Sequence, residues 1–308
     1  MNENCRLSAE LLHGNYVDPM GKEEKPKKHW IWISAAAVLL LLIGWIVWGN
    51  LTVQTTVYRL SDANLPQEFE GFRIAQISDL HNAEFGKNNQ RSLDILEKQK
   101  PDIIVITGDF VDSNHTDLDV SVSFAEQAVK LAPCYYVTGN HEARSSVPYQ
   151  ELEQRLRACG VTVLRNETAR IVRNGEAVQL IGVDDPNFQG SDSSLFHLAD
   201  GILAEEIRRA HPKAGYQILL SHRPETFDTY VDSGVNLAFC GHAHGGQVRL
   251  PFLGGLIAPN QGFFPKYDGG VYQRGKTTMV VSRGIGNSVI PIRINNRPEI
   301  VIAELHQK

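Results

Sequence analysis

The sequence predicts an α/β domain that follows a single transmembrane helix. Between residues 72 and 282, short apolar runs rich in β-branched residues alternate with stretches of helical spacing. This pattern is typical of a partly parallel sheet with hairpins at its edges. A run without any charged residue, from Trp30 to Trp48, lies near the N-terminus and is typical of a membrane span. The composition, with 42% hydrophobic and 21% charged residues, excludes a disordered chain, a collagen and a disulfide-rich miniprotein.

The run from Trp30 to Trp48 is expected to cross the membrane as an uncleaved anchor. At about 1.5 Å per residue, a helix of this length measures about 28 Å, which matches the hydrocarbon core of a bilayer. All four tryptophans lie near its two ends, where indole rings favour the headgroup region. The tryptophans argue against a buried core helix. The absence of a small-residue cleavage site after Trp48 argues against a signal peptide.

The chain divides into four predicted segments: a cytoplasmic polar tail (1–29), a transmembrane anchor (30–48), a lead-in linker (49–65) and one domain (66–308). Four lysines come shortly before the anchor, whereas the nearest basic residue after it is Arg59. The positive-inside rule therefore predicts a single-pass protein of the cell membrane, with its N-terminus in the cytoplasm and its domain outside. The net charge of -5 gives no basic excess, so nucleic acid is not an expected partner.

Apolar periodicity predicts the elements of the domain. Helices are predicted at 88–98, 118–131, 149–158 and 195–210. Strands are predicted at 72–78, 103–107, 135–138, 161–164, 169–172, 177–183, 217–220, 237–240 and 278–282. Asn174 and Gly175, between two of these strands, are a hairpin signal.

Five of the predicted strands, those that end at residues 78, 107, 138, 220 and 240, run directly into polar residues. In open α/β sheets, ligands bind outside the carboxyl ends of the strands, so these residues are expected to converge. Seven of them form a mixed set of oxygen and imidazole donors: Asp79, His81, Asp109, Asn140, His222, His242 and His244. The set is large enough for two metal ions and too large for one tetrahedral zinc ion. Mixed donors favour Mn, Fe or Zn over Mg or Ca.

The spacing within two motifs supports a shared cavity. In Asp79-x-His81 and His242-x-His244, alternate residues of an extended backbone point to the same side, so both members of each pair can face one site. Each motif alone is more typical of a turn or of a hydrogen-bonded histidine. Their joint occurrence at strand ends is what predicts a functional site.

The order of these motifs resembles that of the calcineurin-like metallophosphoesterases. The family pattern is Asp-x-His, Gly-Asp, Gly-Asn-His-Asp/Glu, a single His and Gly-His-x-His, and every block occurs between residues 79 and 244. Segments 241–247, 282–286 and 291–293 look like the bacterial branch with one N-terminal membrane segment, the YaeI-like and YkuE-like phosphoesterases. The resemblance implies a four-layer α/β/β/α sandwich of two mixed sheets covered by helices.

The resemblance also implies a role for each residue. One divalent ion would be held by Asp79, His81 and His244. The other would be held by Asn140, His222 and His242. Asp109 would bridge the two ions, and His141 would donate a proton or contact the phosphate. Manganese is the first expectation for both ions, with iron or zinc as alternatives.

The expected reaction is hydrolysis of a phosphodiester or a phosphomonoester. Two divalent ions about 3.5–4 Å apart clamp a phosphoryl group and lower the pKa of a bridging water, and the resulting hydroxide attacks phosphorus in line. The ions stabilise the charge on the equatorial oxygens. His141 is the expected donor to the leaving oxygen, since an imidazole is well suited to proton transfer near neutral pH.

The substrate is less clearly indicated. Loops 250–259 and 262–265 are apolar, which predicts either burial against the core or a rim that faces the bilayer and binds an acyl chain. Arg249 and Arg283 are candidate contacts to a phosphate or a headgroup. Family members with this layout include a pyrophosphatase of lipid-linked UDP sugars, so the resemblance makes a lipid-linked or pyrophosphate substrate one expectation.

Two other functions fit the sequence less well. A metal-dependent peptidase with an H-E-x-x-H motif would need a second histidine where Ser145 stands. A non-catalytic, membrane-anchored protein that binds a metal or ligand and keeps the fold would be expected to have lost donors, and all of them are present.

Overall fold

The structure is a computed structural model that describes residues 29–144, 146–190, 198–210 and 212–308. The predicted polar tail, apart from His29, lies outside these residues, as do residues 195–197 of the helix predicted at 195–210. The apolar helix α1 spans His29–Leu51 and extends beyond the predicted run at both ends. It is long and apolar enough to cross a membrane. None of its residues is buried, so it is not a core helix.

The other helices of the described residues are α2 (Gln90–Gln99), α3 (Leu118–Ala128), α4 (Tyr149–Ala158), α5 (Ala199–Arg209) and α6 (Phe227–Asp232). The strands are β1 (Gln54–Asp62), β2 (Phe72–Ile77), β3 (Ile103–Thr107), β4 (Cys134–Val137), β5 (Thr162–Val163), β6 (Glu167–Arg173), β7 (Glu176–Gly182), β8 (Tyr216–Leu220), β9 (Leu237–Cys240), β10 (Arg249–Leu250), β11 (Gly254–Gly255), β12 (Ile257–Ala258), β13 (Gly262–Phe263), β14 (Gly270–Arg274), β15 (Thr277–Val281) and β16 (Glu299–Gln307).

Two six-stranded mixed sheets form the centre of the domain. The first has the order β1-β16-β2-β3-β4-β5, and the second has the order β14-β15-β9-β8-β7-β6. In the first sheet, β2, β3 and β4 are parallel neighbours, because α2 and α3 return the chain to the start of the next strand. In the second sheet, β7, β8 and β9 are parallel. The strands that precede the polar motifs therefore run in the same direction within each sheet.

Buried apolar side chains form three core layers, each of which lies between two neighbouring layers of secondary structure. One layer lies between the first sheet and α2, α3 and α4. A second lies between the two sheets, and a third lies between the second sheet and α5 and α6. This arrangement is a four-layer α/β/β/α sandwich, and it confirms the fold class expected from the sequence.

The strands predicted from the sequence are all present, with small differences at their ends. The predicted edge hairpin is formed by antiparallel β6 and β7. Its turn residues, Asn174 (φ 49°) and Gly175 (φ 94°), both have left-handed backbone conformations, as a two-residue hairpin of this type requires.

The segment 49–65, expected to be a lead-in, contains strand β1. This strand pairs in parallel with β16 over its whole length, from Gln54 opposite Glu299 to Asp62 opposite Gln307. The segment is therefore part of the first sheet rather than a linker. The sequence pattern also did not predict the two-residue strands β10 to β13, the longer strands β14 and β16, or helix α6. The partner of β1 lies at the far end of the chain, and local periodicity carries no information about such a pairing.

Candidate metal centre

The carboxyl ends of β2, β3, β4, β8 and β9 meet at one end of the two sheets. Gln76 of β2 connects the sheets there, because its Nε2 donates to Thr107 Oγ1 (2.9 Å) and to the carbonyl of Cys240 (2.8 Å). The N–H of Gly241 donates to the carbonyl of His222 (3.2 Å). All seven donor residues predicted from the sequence are buried: Asp79, His81, Asp109, Asn140, His222, His242 and His244.

The first donor cluster consists of Asp79, His81, Asp109 and His244, whose ligand atoms lie within 4.8 Å of one another. His81 Nε2 lies 3.2 Å from His244 Nε2 and 3.6 Å from Asp109 Oδ2. His244 Nε2 lies 3.4 Å from Asp79 Oδ1. Two ligands that each bind one ion at about 2.1 Å lie about 3 Å apart, so this spacing fits a shared cation.

The second donor cluster consists of Asp109, His222 and His242. His222 Nε2 lies 3.2 Å from Asp109 Oδ2 and 3.2 Å from His242 Nδ1. His222 Nδ1 lies 2.7 Å from the carbonyl oxygen of Thr107, which places a proton on Nδ1. Its Nε2 faces Asp109, which is the orientation of a metal-binding imidazole. Asp109 therefore belongs to both clusters.

Two buried polar atoms of the donor residues have no hydrogen-bond partner among the described residues. They are Asn140 Oδ1 and His81 Nδ1. Asn140 lines the same cavity as Asp109, His242 and His244. A buried acceptor without a partner costs about 1–3 kcal/mol, and a cation would satisfy the Asn140 oxygen. The donor set therefore fits bound divalent ions, although the role of each residue as a ligand stays a prediction.

The backbone at the donors is strained. Five of the donor residues have a left-handed backbone conformation, with φ between 46° and 65°: Asp79, His81, Asp109, His242 and His244. Non-glycine residues adopt this conformation rarely, and such strain gathers at functional sites. The extended backbone expected in Asp79-x-His81 and His242-x-His244 is therefore absent, and that prediction is wrong. The side chains converge because the chain turns sharply at each donor.

Burial shifts the pKa values of most donor residues toward their neutral forms, and His222 is an exception. Burial raises the pKa of Asp79 to about 6 and lowers the pKa of His81 to about 3. Burial also holds the pKa values of His242 and His244 well below their ordinary range. Burial alone would lower the pKa of His222, yet the adjacent Asp109 carboxylate raises it to about 10. The Asp109 carboxylate thus favours a cation at His222, while the imidazoles of His81, His242 and His244 stay in the neutral form that binds metals.

His141 presents an N–H to the cavity. Its Nδ1 accepts the main-chain N–H of Ser113 (3.0 Å), so in the neutral ring the proton lies on Nε2. That atom is 3.2 Å from Ser288 Oγ, and both residues line the cavity. The carboxylate of Asp112 lies 3.9 Å from His141 Nδ1 and 3.8 Å from His81 Nδ1. Sequence reasoning missed Asp112 and Ser288.

A cavity of about 820 Å³ opens over the two clusters. Its polar wall includes Asp109, Asn140, His141, His242 and His244. Its cationic side chains are Arg144 and Arg223. Its apolar edge is formed by Ile257, Ala258, Pro259, Val289 and Ile290. The cavity therefore combines a charged floor with a hydrophobic lip.

The arginines of the cavity are not the ones predicted from the sequence. Arg249 pairs with Asp268 (3.0 Å) and Arg283 pairs with Glu299 (2.7 Å), and neither is among the described residues that line the cavity. Arg223 is buried, donates twice to Asp185 (2.5 and 2.9 Å) and lies 3.2 Å from His242 Nε2. The position of Arg223 directly after His222 could have indicated, from the sequence alone, that this arginine lies near the donor residues.

The apolar loops are exposed rather than buried. Phe252 is 107% exposed and Phe263 is 71% exposed. Val289, beside the cavity, is 81% exposed. Of the two expectations for loops 250–259 and 262–265, burial against the core is therefore wrong for their large tips, and a hydrophobic rim remains.

The sequence matches the family model described as calcineurin-like phosphoesterase over residues 72–246, which is more than half of the chain. The chain belongs to this family. It is a metallophosphoesterase, a hydrolase that acts on phosphoester bonds.

Similar proteins support this membership, and each alignment covers more than half of both chains. The chain is 31% identical over 265 residues to the uncharacterized metallophosphoesterase YkuE of Bacillus subtilis, covering 82% of this chain and 85% of YkuE. It is 27% identical over 246 residues to the phosphodiesterase YaeI of Escherichia coli, covering 76% and 82%. A transmembrane protein with metallophosphoesterase domain from Bos taurus is 31% identical over 269 residues, 81% of this chain but 55% of that relative.

Within the family's Gly-Asn-His-Glu block, Glu142 holds two motif loops together. Its buried carboxylate accepts four main-chain N–H groups, those of Asp109 (2.9 Å), Phe110 (2.7 Å), Val111 (3.2 Å) and Gly139 (2.7 Å). A Cβ on Gly108 would lie 2.7 Å from the Cα of Gly139, so the two loops meet only because both residues are glycine.

We expect Glu142→Gln to lower the free energy of unfolding by about 2 kcal/mol, because an amide nitrogen would replace one acceptor of these N–H groups. Urea unfolding of the metallophosphoesterase measures the change. The control is Glu126→Gln on α3, where the side chain is exposed. Equal stabilities of the two variants would contradict the role of Glu142 in holding the two loops together.

Proposed function

We propose that this metallophosphoesterase uses two divalent ions, one in each donor cluster, to hydrolyse a phosphoester that carries an apolar chain. The observation that carries the two-ion part is the position of Asp109, whose single carboxylate belongs to both clusters. Asn140, with its unpartnered oxygen, completes the second cluster. The mixed oxygen and imidazole donors suit Mn, Fe or Zn, with manganese as the first candidate.

When bound, the two ions would polarise the phosphoryl group and acidify a water between them. Residues of the chain itself would supply proton donation and a fixed positive charge. His141 directs its Nε2–H into the cavity and donates to an oxygen of the phosphoryl or leaving group. The guanidinium of Arg223, held in place by Asp185, supplies a fixed positive charge beside the phosphoryl oxygens.

The hydrophobic lip supports an amphiphilic substrate. Val289 and Ile290 line the cavity and are 81% and 46% exposed, and the exposed Phe263 pairs with Ile257 of the lip between β12 and β13. A phosphodiester or pyrophosphate with a lipid chain would place its phosphate on the charged floor and its chain on this lip. We further propose that α1 anchors the enzyme in the cell membrane with its N-terminus in the cytoplasm, in accord with the lysines that precede the helix.

We expect His141→Ala to lower kcat for a bis-aryl phosphate diester by about 100-fold, with no loss of bound metal. The reason is that His141 donates to the substrate rather than to an ion. Hydrolysis is measured with and without Mn²⁺, and the metal is counted by mass spectrometry. The control is His115→Ala, where the side chain is exposed. Loss of both ions in His141→Ala would make His141 a ligand, and a parent chain without Mn²⁺-dependent hydrolysis would refute the proposed function.

We expect Val289→Ser to lower kcat/KM by about 10-fold for a phosphodiester presented in lipid micelles, since a buried valine contributes roughly 1.5 kcal/mol. The same variant should hydrolyse a soluble aryl diester at the parent rate. Val172→Ser, at a 54% exposed valine of β6, serves as the control. Parallel losses on both substrates would argue against a lipid-binding lip.

A further inference from the structure

Asn50, in the last turn of α1, binds both main-chain groups of Arg293. Its Oδ1 accepts the N–H of Arg293 (2.9 Å), and its Nδ2 donates to the Arg293 carbonyl (2.8 Å). The other Nδ2 hydrogen is donated to the carbonyl of Ile46 (2.8 Å), so both hydrogens and the oxygen of the amide have hydrogen-bond partners. Residues Ile46–Lys308 form one compact unit, and this contact therefore belongs to the domain itself.

Arg293 connects that contact to the metal centre. Its side chain is 2% exposed, and none of the described carboxylates forms an ion pair with it. Its Nη1 donates to the carbonyl of Arg283 (2.6 Å) and its Nη2 to the carbonyl of Gly286 (2.5 Å). Nη2 also lies 3.4 Å from His244 Nδ1. A buried charge with only neutral partners is costly, which points to a role in positioning what it touches.

The turn that Arg293 binds, Arg283 to Gly286, packs on Asp79. The N–H of Gly286 donates to the carbonyl of Asp79 (2.7 Å). A Cβ on Gly284 would lie 2.8 Å from the Cβ of Asp79, so the turn has no free space against this donor. Arg293 thus supports Asp79 through the turn, and its Nη2 packs 3.4 Å from Nδ1 of the His244 ring. These two residues lie in the first donor cluster and not in the second.

We propose that Asn50 and Arg293 are positioning residues for the first donor cluster, so that the end of the anchor helix is part of the active site and not only a tether. Asn50 fixes the backbone of Arg293, and Arg293 fixes the turn behind Asp79 and packs beside the ring of His244. The second cluster meets this chain of contacts at Asp79, whose carboxylate accepts the main-chain N–H of His242 (3.0 Å). No hydrogen bond among the described residues joins His222 or His242 to Asn50 or Arg293. The inference rests on the proposed function, because it assigns one divalent ion to each cluster.

The test uses the full chain in detergent micelles, with Mn²⁺ as the probe. Asn50→Ala removes all three hydrogen bonds of the amide. We expect the parent to retain two ions after gel filtration and Asn50→Ala to retain one, with binding of the lost ion weakened at least about 10-fold. At limiting Mn²⁺, kcat for the soluble aryl diester should fall with KM unchanged, and excess Mn²⁺ should restore it. A merely structural defect would not respond to added metal.

Arg297→Gln is the matched control at the same helix end. The guanidinium of Arg297 stacks on the ring of Trp48 (4.6 Å) and its Nε donates to Thr52 Oγ1 (3.1 Å), and none of these contacts leads to a donor. We expect this variant to retain both ions. Equal loss of metal in Arg297→Gln and Asn50→Ala would show that any loosening of the helix end has the same effect, and would overturn the specific role of Asn50.

The measurements distinguish a failure of the proposed two-ion function from a failure of the positioning role of Asn50. A parent chain that retains fewer than two ions overturns the proposed two-ion function. A parent with two ions, together with Asn50→Ala that has two ions and the parent's kcat, overturns only the positioning role. Should Asn50→Ala fail to fold by circular dichroism, Arg293→Lys decides the question, since it keeps the buried charge but loses the forked donors. Retention of both ions and full kcat in Arg293→Lys would then overturn the inference.

Discussion

One buried carboxylate, that of Asp109, lies 3.2 Å from His222 and 3.6 Å from His81, and the geometry of the whole site follows from that double contact. His81 follows a strand of the first sheet and His222 a strand of the second, so both sheets must present their carboxyl ends at the same place. The apolar layer between the sheets sets their separation. Gln76, which bonds to both sheets, holds them together directly beneath the donors.

This convergence is energetically unfavourable unless other contacts support it. Left-handed backbone at non-glycine residues costs about 1–3 kcal/mol each, and two carboxylates are buried beside one another. The compensating contacts are specific. Glu142 binds four N–H groups of the loops at Asp109 and Gly139, and Arg293 binds the turn behind Asp79. A bound cation would remove the remaining cost, because it neutralises the carboxylates and satisfies Asn140.

The sequence predicted the site far better than its surroundings. Asp109 and His222 could be predicted as neighbours because each follows a strand, and strand ends converge in this class of fold. Their backbone conformations could not, since left-handed turns at Asp or His leave no periodic signal. Arg249 was an expected phosphate contact, yet a carboxylate 3.0 Å away already pairs with it. The partner of Asn50 lies 243 residues away, and no local pattern predicts such a contact.

We propose that Asp109 joins two metal ions in one site, and electron paramagnetic resonance of the Mn²⁺-loaded chain can detect such a pair. Two Mn²⁺ ions that share a carboxylate ligand are spin-coupled and give a multiline spectrum with temperature-dependent intensity. We predict that spectrum for the parent chain at saturating Mn²⁺. The simple six-line spectrum of isolated Mn²⁺, at one or at two ions per chain, would contradict a shared Asp109.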